Sequence, residues 1–194
     1  MRPLPLGLLA LAATLPSLDA ATMARRTVQE GMSRVGASHI WRGDDTGISV
    51  DATLDLYNPL ILRAYHTRID FDLSGLEGSA SGAGLGLREA NATGKYSISY
   101  IWGRHDDGVL AQDRDSLEIA YAYDFSPSWE MELAHIRHDN PAALGGDLNA
   151  TKLTFRYNSG TAFNLDLGWS RKDTLGGTER GGDDTWSAGI SYRF

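Results

Sequence analysis

The stretch that decides the fold is the last one, Trp186-Ser187-Ala188-Gly189-Ile190-Ser191-Tyr192-Arg193-Phe194. Every second residue, from Trp186 to Phe194, is apolar, and the residues between them are small or polar. An alternation with a period of two predicts a β-strand that has one apolar and one polar face. This stretch therefore predicts a strand between two different environments.

The same alternation recurs upstream at intervals of roughly 10 to 12 residues, with turn-forming residues between the segments. The predicted strands lie at residues 48–56, 68–73, 82–88, 96–103, 117–125, 129–134, 152–157 and 163–170. A weaker segment spans Met32 to Arg42, with Val35, Ala37, His39 and Trp41 on one face. Regularly spaced alternating segments indicate an all-β, antiparallel, up-and-down fold.

The polar faces of these segments carry many very small side chains. They include Gly82, Gly84, Gly86, Ser97, Ser99, Ala120, Ala122, Gly168 and Gly189. A strand surface in water has no steric need for small residues, whereas the concave interior of a narrow barrel does. The sequence therefore predicts a barrel whose polar face lines the lumen and whose apolar face contacts lipid. The alternative is a soluble periplasmic lipocalin-like binding barrel, with its apolar face inside.

The aromatic residues fall into two groups at opposite ends of the strands. Tyr96, Phe125, Trp129, Tyr157, Phe163, Tyr192 and Phe194 lie beside short turns or the C-terminus, whereas Trp41, Trp102, Trp169 and Trp186 lie beside the opposite links. The links at residues 105–114, 139–148 and 172–184 are longer, as outer-membrane barrels have on the extracellular side. Tyr and Trp favour both membrane–water interfaces, so this placement predicts two interfacial girdles.

Ten strands are expected, because bacterial single-chain membrane barrels have an even number; eight strands after an N-terminal extension is the alternative. Residues 1–24 are expected to form a signal peptide, with an apolar stretch from Leu4 to Leu15 and cleavage after Ala20 or Ala24. Residues 25–194 would then form a single barrel domain in the bacterial outer membrane.

The ending Trp186 to Phe194 resembles the C-terminal strand of bacterial outer-membrane barrel proteins. The chain is similar in size to the small OmpA, OmpX and OmpW barrels and to the YfaZ-like group. The resemblance implies that the C-terminal strand, with terminal Phe194, is recognised by the barrel-assembly machinery.

Charged residues on the predicted lumen face are the first candidates for function. They are Asp51, Asp55, Arg68, Asp70, Asp72, Arg88, Glu118, Asp124, Glu130, Glu132, Lys152, Arg156, Asp166 and Arg193. A charge in a narrow lumen must be paired or hydrated, so these residues predict either a structural ion-pair network or a limited passage. Acidic residues outnumber basic ones in this set, which favours cations in the second case.

An enzyme is the competing functional class, because a lipid-modifying hydrolase would need a His and a Ser facing the outer leaflet. His135 shares the lipid-facing register, but no serine lies two residues away on that face. His135 and His138 fall on opposite faces, which disfavours a shared metal. We therefore expect no enzyme activity, no metal and no cofactor.

Composition limits the possible partners. The chain has no cysteine, which suits an exported fold that is held together by its own hydrogen-bond ladder. The net charge of −7 and the lack of a basic run argue against nucleic acid. The expected partners are outer-membrane lipid and the assembly machinery, with the barrel as a monomer. The expected role is structural, surface-interacting or limited to passage of small solutes or ions.

Overall fold

The computed structural model describes residues 33–57, 59–72, 75–90, 94–106, 108–139, 148–174 and 184–194. The predicted signal peptide at residues 1–24 lies outside this part of the chain, as does most of two predicted external loops. In the described residues no helix is long and apolar enough to cross a membrane.

Eleven strands make up the described structure. They are β1 (Arg34–Arg42), β2 (Asp45–Tyr57), β3 (Leu60–Asp70), β4 (Glu77–Ala90), β5 (Gly94–Asp106), β6 (Ala111–Asp113), β7 (Ser116–Ser126), β8 (Trp129–His138), β9 (Leu148–Asn158), β10 (Phe163–Thr174) and β11 (Asp184–Arg193). The short β6 continues the line of β7 along β5, because Arg104 pairs with Asp113 in the same register as Ile101 with Ser116.

The ten long strands form one closed antiparallel ring. Each pairs with the next along the chain, β4 pairs with β5, and β1 pairs with β11 from Arg34↔Arg193 to Trp41↔Trp186. Closure leaves no open sheet edge, which is the condition for a sheet to stand in lipid. The predicted ten-stranded, all-β barrel is confirmed, and the eight-stranded alternative is wrong. We call the end holding the turns 126–128 and 158–162 the turn end, and the opposite end the outer end.

Glycines on β4 let the wall bend. A methyl group at Gly84 would collide with the backbone carbonyl of Tyr100 on β5, and one at Gly86 would collide with Ser99. Strands at a sharply curved part of a small barrel approach each other closely on the inside, and only glycine leaves room for this. The small residues predicted on the polar face are therefore required by the curvature of the wall.

The outer surface of the barrel is apolar. Large hydrophobic residues of every long strand except β1, β3 and β9 lie at half exposure or more on this face, among them Ile48 (60%), Ile119 (53%), Leu133 (50%) and Leu167 (58%). The inner face instead carries glycine, serine and charged residues. A water-soluble barrel would bury its apolar face, so the lipocalin-like orientation is wrong and the wall suits hydrocarbon.

The predicted interfacial aromatic residues all lie on the outward register. Trp41 and Trp169 are both direct cross-strand partners of Trp186, near the outer end. At the turn end the Trp129 and Tyr157 rings are 5.0 Å apart, and those of Phe163 and Tyr192 are 5.1 Å apart. The structure thus places two aromatic belts at opposite ends of the wall.

Strand β3 differs from its prediction. It begins at Leu60 instead of residue 68, and its cross-strand pair Asp51↔Tyr65 places the odd-numbered residues inside. Ile69 therefore faces the lumen and Arg68 faces outward, the reverse of the expected register. The error arises because the sequence Ile69, Phe71 and Leu73 imitates a lipid-facing alternation, whereas Ile69 lies on the lumen side against Gly47 of β2.

Candidate functional site

Eleven of the predicted lumen charges lie on the inward register. They are Asp51, Asp55, Arg88, Glu118, Asp124, Glu130, Glu132, Lys152, Arg156, Asp166 and Arg193. Most of these residues sit in the half of their strand nearest the turn end. The lumen is therefore most densely charged towards that end.

Three predicted lumen residues lie elsewhere, which corrects the sequence-based assignment. Arg68 and Asp70 have outward register at the end of β3, with Arg68 Nε 3.6 Å from an Asp70 oxygen and Arg68 also paired with Glu77. Asp72 follows the end of β3, and its backbone N–H donates to the Asp45 carboxylate at 3.2 Å. The physical reason is the one-residue shift in the register of β3, which exchanges the two faces.

Besides Arg42 and Arg114 near the outer end, the sequence prediction missed three inward cations further inside the barrel, Arg34, Arg63 and Lys95. Each forms an ion pair with an inward carboxylate: Arg34 with Asp51 at 3.2 Å, Lys95 with Glu130 at 3.0 Å, and Arg63 with Glu118. Arg34 already lay within the predicted first strand, on the face opposite Val35. Lys95 lies one step before the predicted segment 96–103, whereas Arg63 required the correct start of β3.

These additions change the charge balance of the lumen. Apart from Arg42, Asp45 and Arg114 at the outer end, the inward set in the described strands now contains seven acids (Asp51, Asp55, Glu118, Asp124, Glu130, Glu132 and Asp166) and seven bases (Arg34, Arg63, Arg88, Lys95, Lys152, Arg156 and Arg193). Acidic residues therefore do not outnumber basic ones in this set, and the charge balance does not support the predicted preference for cations.

Arg156 is the centre of the ion-pair network at the turn end. Its Nε donates to Asp166 of β10 at 2.7 Å, and its Nη1 donates to Glu130 of β8. Glu130 also accepts from Lys95 of β5 at 3.0 Å, so these four side chains join four strands. The side chains of Arg156 and Glu130 are each 8% exposed. Charged side chains that are linked in this way hold one another in position.

Other pairs reach across the interior between strands that are not neighbours. Arg63 of β3 meets Glu118 of β7, although β4 and β5 separate these strands in the wall. Arg88 of β4 pairs with Asp55 of β2 at 3.0 Å, across β3. Contacts of this kind are possible only if the side chains project into the lumen and fill it. In the described part of the chain, ion pairs thus cross the lumen between strands that are not neighbours.

The inward face nearer the outer end is different in character. It is lined by small residues, including Ser38, Ser49, Gly82, Gly168, Ser187 and Gly103. Ser49 and Thr67 share a hydrogen bond of 2.8 Å across β2 and β3. The missing side chain at Gly82 makes room for two larger inward residues, Tyr65 and Ile101, which pack against it.

A serine–histidine contact lies at the outer end, also on the inner face. Ser116 Oγ and His138 Nδ1 are 2.7 Å apart, between β7 and β8. His135 has the outward register, opposite to His138, as the alternation predicts. Among the described residues, no group of three His, Cys, Asp or Glu residues is arranged to hold a metal ion. The sequence missed Ser116 because its partner is set by the β7–β8 register.

Comparisons with known proteins find similarity in architecture. No protein-family model matches the chain, and no curated protein matches it. The structure of the NanC porin matches with 10% identity and a TM-score of 0.48, over 84% of this chain and 100% of that one. The KdgM porin matches with 10% identity and a TM-score of 0.49, over 83% of this chain and 99% of that one. The Yersinia pestis outer membrane protein Ail matches with 11% identity and a TM-score of 0.40, over 85% of this chain and 100% of that one.

Identities this low assign no role to any residue, so the nature of the chain rests on its own geometry. A closed ring removes every sheet edge, the outward wall is apolar, and aromatic belts lie at both ends of it. The chain is a ten-stranded transmembrane β-barrel.

Proposed function

We propose that the protein is an integral barrel of the bacterial outer membrane, with a lumen closed by ion pairs and a structural or surface-interaction role. Passage through the lumen is limited to small ions at most. The observation that carries the proposal is the pair of bonds from Arg156 to Glu130 and Asp166, between buried side chains of the lumen. A barrel filled to this degree is a membrane anchor with an outward-facing end, and its width excludes free diffusion of larger solutes.

The charge balance of the lumen supports the same proposal. Channels select ions with rings of one sign of charge, such as carboxylates for cations. Here inward cations such as Arg34 and Arg88 pair with inward carboxylates, so neither sign of charge dominates. We therefore propose weak selectivity for any residual ion flow.

The position of the C-terminal strand supports an assembly route through the barrel-assembly machinery. β11 lies at the seam where the chain closes on β1, and the Phe194 backbone N–H donates to the Ser33 carbonyl at 3.0 Å. Before β1 pairs, β11 presents an open edge that another protein can bind by strand addition. Outer-membrane lipid is the other proposed partner, and the barrel is proposed to act as a monomer.

We include no catalytic step in the proposal. A lipid-modifying enzyme needs its nucleophile and base on the lipid side, whereas Ser116 and His138 face the lumen. Their hydrogen bond also links β7 to β8 next to the outer end of both strands, where it stabilises the pairing of the two strands. We therefore assign this pair a structural role.

Planar-bilayer recording tests the closed lumen. The wild-type barrel is expected to give no discrete conductance steps, or only steps of small-ion size. The triple variant Arg156→Ser, Glu130→Ser and Asp166→Ser should give clear steps, because it removes three of the four linked side chains from the lumen and leaves Lys95 as the one remaining charge of the network. The control is Arg42→Ser with Asp45→Ser, which removes an ion pair at the outer end. Equal, large steps from the wild type and the triple variant would contradict the proposal.

A further inference from the structure

The outward face carries a repeated pattern at the outer end. Five strands run towards that end, and on four of them an aromatic or imidazole ring is followed two residues later by an arginine. The four segments are His66-Thr67-Arg68 on β3, Trp102-Gly103-Arg104 on β5, His135-Ile136-Arg137 on β8 and Trp169-Ser170-Arg171 on β10. A spacing of two keeps the ring and the arginine on the same face of a strand.

These four arginines, Arg68, Arg104, Arg137 and Arg171, are here called the arginine belt. Each belongs to the last four residues of its strand at the outer end. Each has the outward register, because the inward positions beside them are Thr67, Gly103, Ile136 and Ser170. The belt therefore encircles much of the barrel just beyond the rings that mark the edge of the apolar wall.

We propose that the arginine belt binds the phosphate groups of lipid headgroups in the outer leaflet. This inference rests on the proposed residence in the outer membrane. A ring at the interface followed by a guanidinium places a planar, permanently charged group at the depth of the headgroups. Guanidinium groups bind phosphate oxygens with two parallel N–H donors, which makes arginine suited to this ligand.

The carboxylates beside the belt do not prevent its arginines from binding a lipid phosphate. Arg68 pairs with Asp70 and Glu77, but these side chains are 57%, 62% and 60% exposed. Arg137 lies 3.9 Å from Asp139, and the two are 59% and 64% exposed. Exposed ion pairs of this kind contribute about 0–1 kcal/mol, so a phosphate can share or replace the carboxylate. The carboxylates position the guanidinium groups in the belt and do not prevent them from binding a phosphate.

Two members of the belt suit a direct test. Arg104 lies opposite Asp113 and Arg171 opposite Asp184, and each follows a tryptophan by two residues. The matched control uses Arg42 and Arg114, which lie near the same end but on the inward register. Arg104→Gln with Arg171→Gln and Arg42→Gln with Arg114→Gln change the net charge equally, and only the first pair touches the lipid face.

The experiment titrates folded barrels in detergent with lipid A or with dephosphorylated lipid A, and counts bound lipid by native mass spectrometry. The wild type is expected to prefer the phosphorylated form. The belt variant should bind it about 25-fold more weakly, since a basic residue near a lipid surface contributes about fivefold. The inward control should bind like the wild type.

Three results would overturn the proposal: no preference of the wild type for the phosphorylated form, equal loss in both double variants, or displacement of lipid by an equal concentration of inorganic phosphate. The last result would show that free phosphate, and not a lipid, is the ligand. A heat-modifiable gel band checks that each variant is a folded barrel. A wild type that forms the barrel but fails to insert into lipid vesicles would refute the membrane assignment itself, which separates the two failures.

Discussion

Leu133→Arg is expected to lower the free energy of unfolding in a lipid bilayer by about 2–4 kcal/mol, because arginine near the midplane of a barrel wall faces hydrocarbon. Leu133 is the fifth residue of the ten in β8, it has the outward register, and it is 50% exposed. On a protein in water, a substitution at such an exposed position changes stability by about 0.5 kcal/mol or less. The size of the loss in unfolding free energy therefore distinguishes a wall surrounded by lipid from a wall surrounded by water.

His135→Arg is the matched control, two residues further along the same face of the same strand and closer to the outer end. Near the interface the cost of arginine falls to about 0–1 kcal/mol, because the side chain reaches the headgroups and water. Reversible urea unfolding in lipid vesicles, followed by tryptophan fluorescence, measures both variants. Equal small losses at both positions would contradict a transmembrane wall.

The architecture could be predicted from the sequence because a membrane barrel repeats one physical constraint at every strand. Each wall segment separates lipid from lumen, so the alternation from Trp186 to Phe194 reports register directly, and the observed β11 follows it. Curvature adds a second signal, since positions such as Gly84 accept no side chain. Both constraints act locally along the chain, which is why a single sequence reveals them.

The lumen could be predicted only in part, because the partners of its charges depend on which strands lie opposite each other. Nothing near Arg63 in the sequence points to Glu118, and the contact exists only because the ring brings β3 and β7 to face each other. The register of β3 was also hidden by the apolar residues at its outer end, which placed Arg68 on the wrong face. Long-range geometry, and not residue type, decides these features.

Arg63→Met is expected to cost about 3 kcal/mol of unfolding free energy, because it leaves the Glu118 carboxylate buried without its cation. Breaking a buried pair by removing one partner costs about 3–5 kcal/mol. The lower end applies here, since the Arg63 side chain keeps 18% exposure while that of Glu118 keeps 9%. Methionine retains much of the length and volume of the arginine stem, so the loss reports charge more than packing. The same urea unfolding in vesicles measures it.

A double-mutant cycle with Glu118→Gln separates the pair from its surroundings. Replacing both charges removes the orphaned carboxylate, so Arg63→Met with Glu118→Gln should regain most of the loss and lie within about 1 kcal/mol of the wild type. If the double variant is as unstable as Arg63→Met alone, the arginine stabilises the barrel through packing and not through its charge. If Arg63→Met costs less than about 0.5 kcal/mol, water already solvates both groups. The lumen would then be hydrated at this level, and the closed interior, on which the proposed function depends, would be wrong.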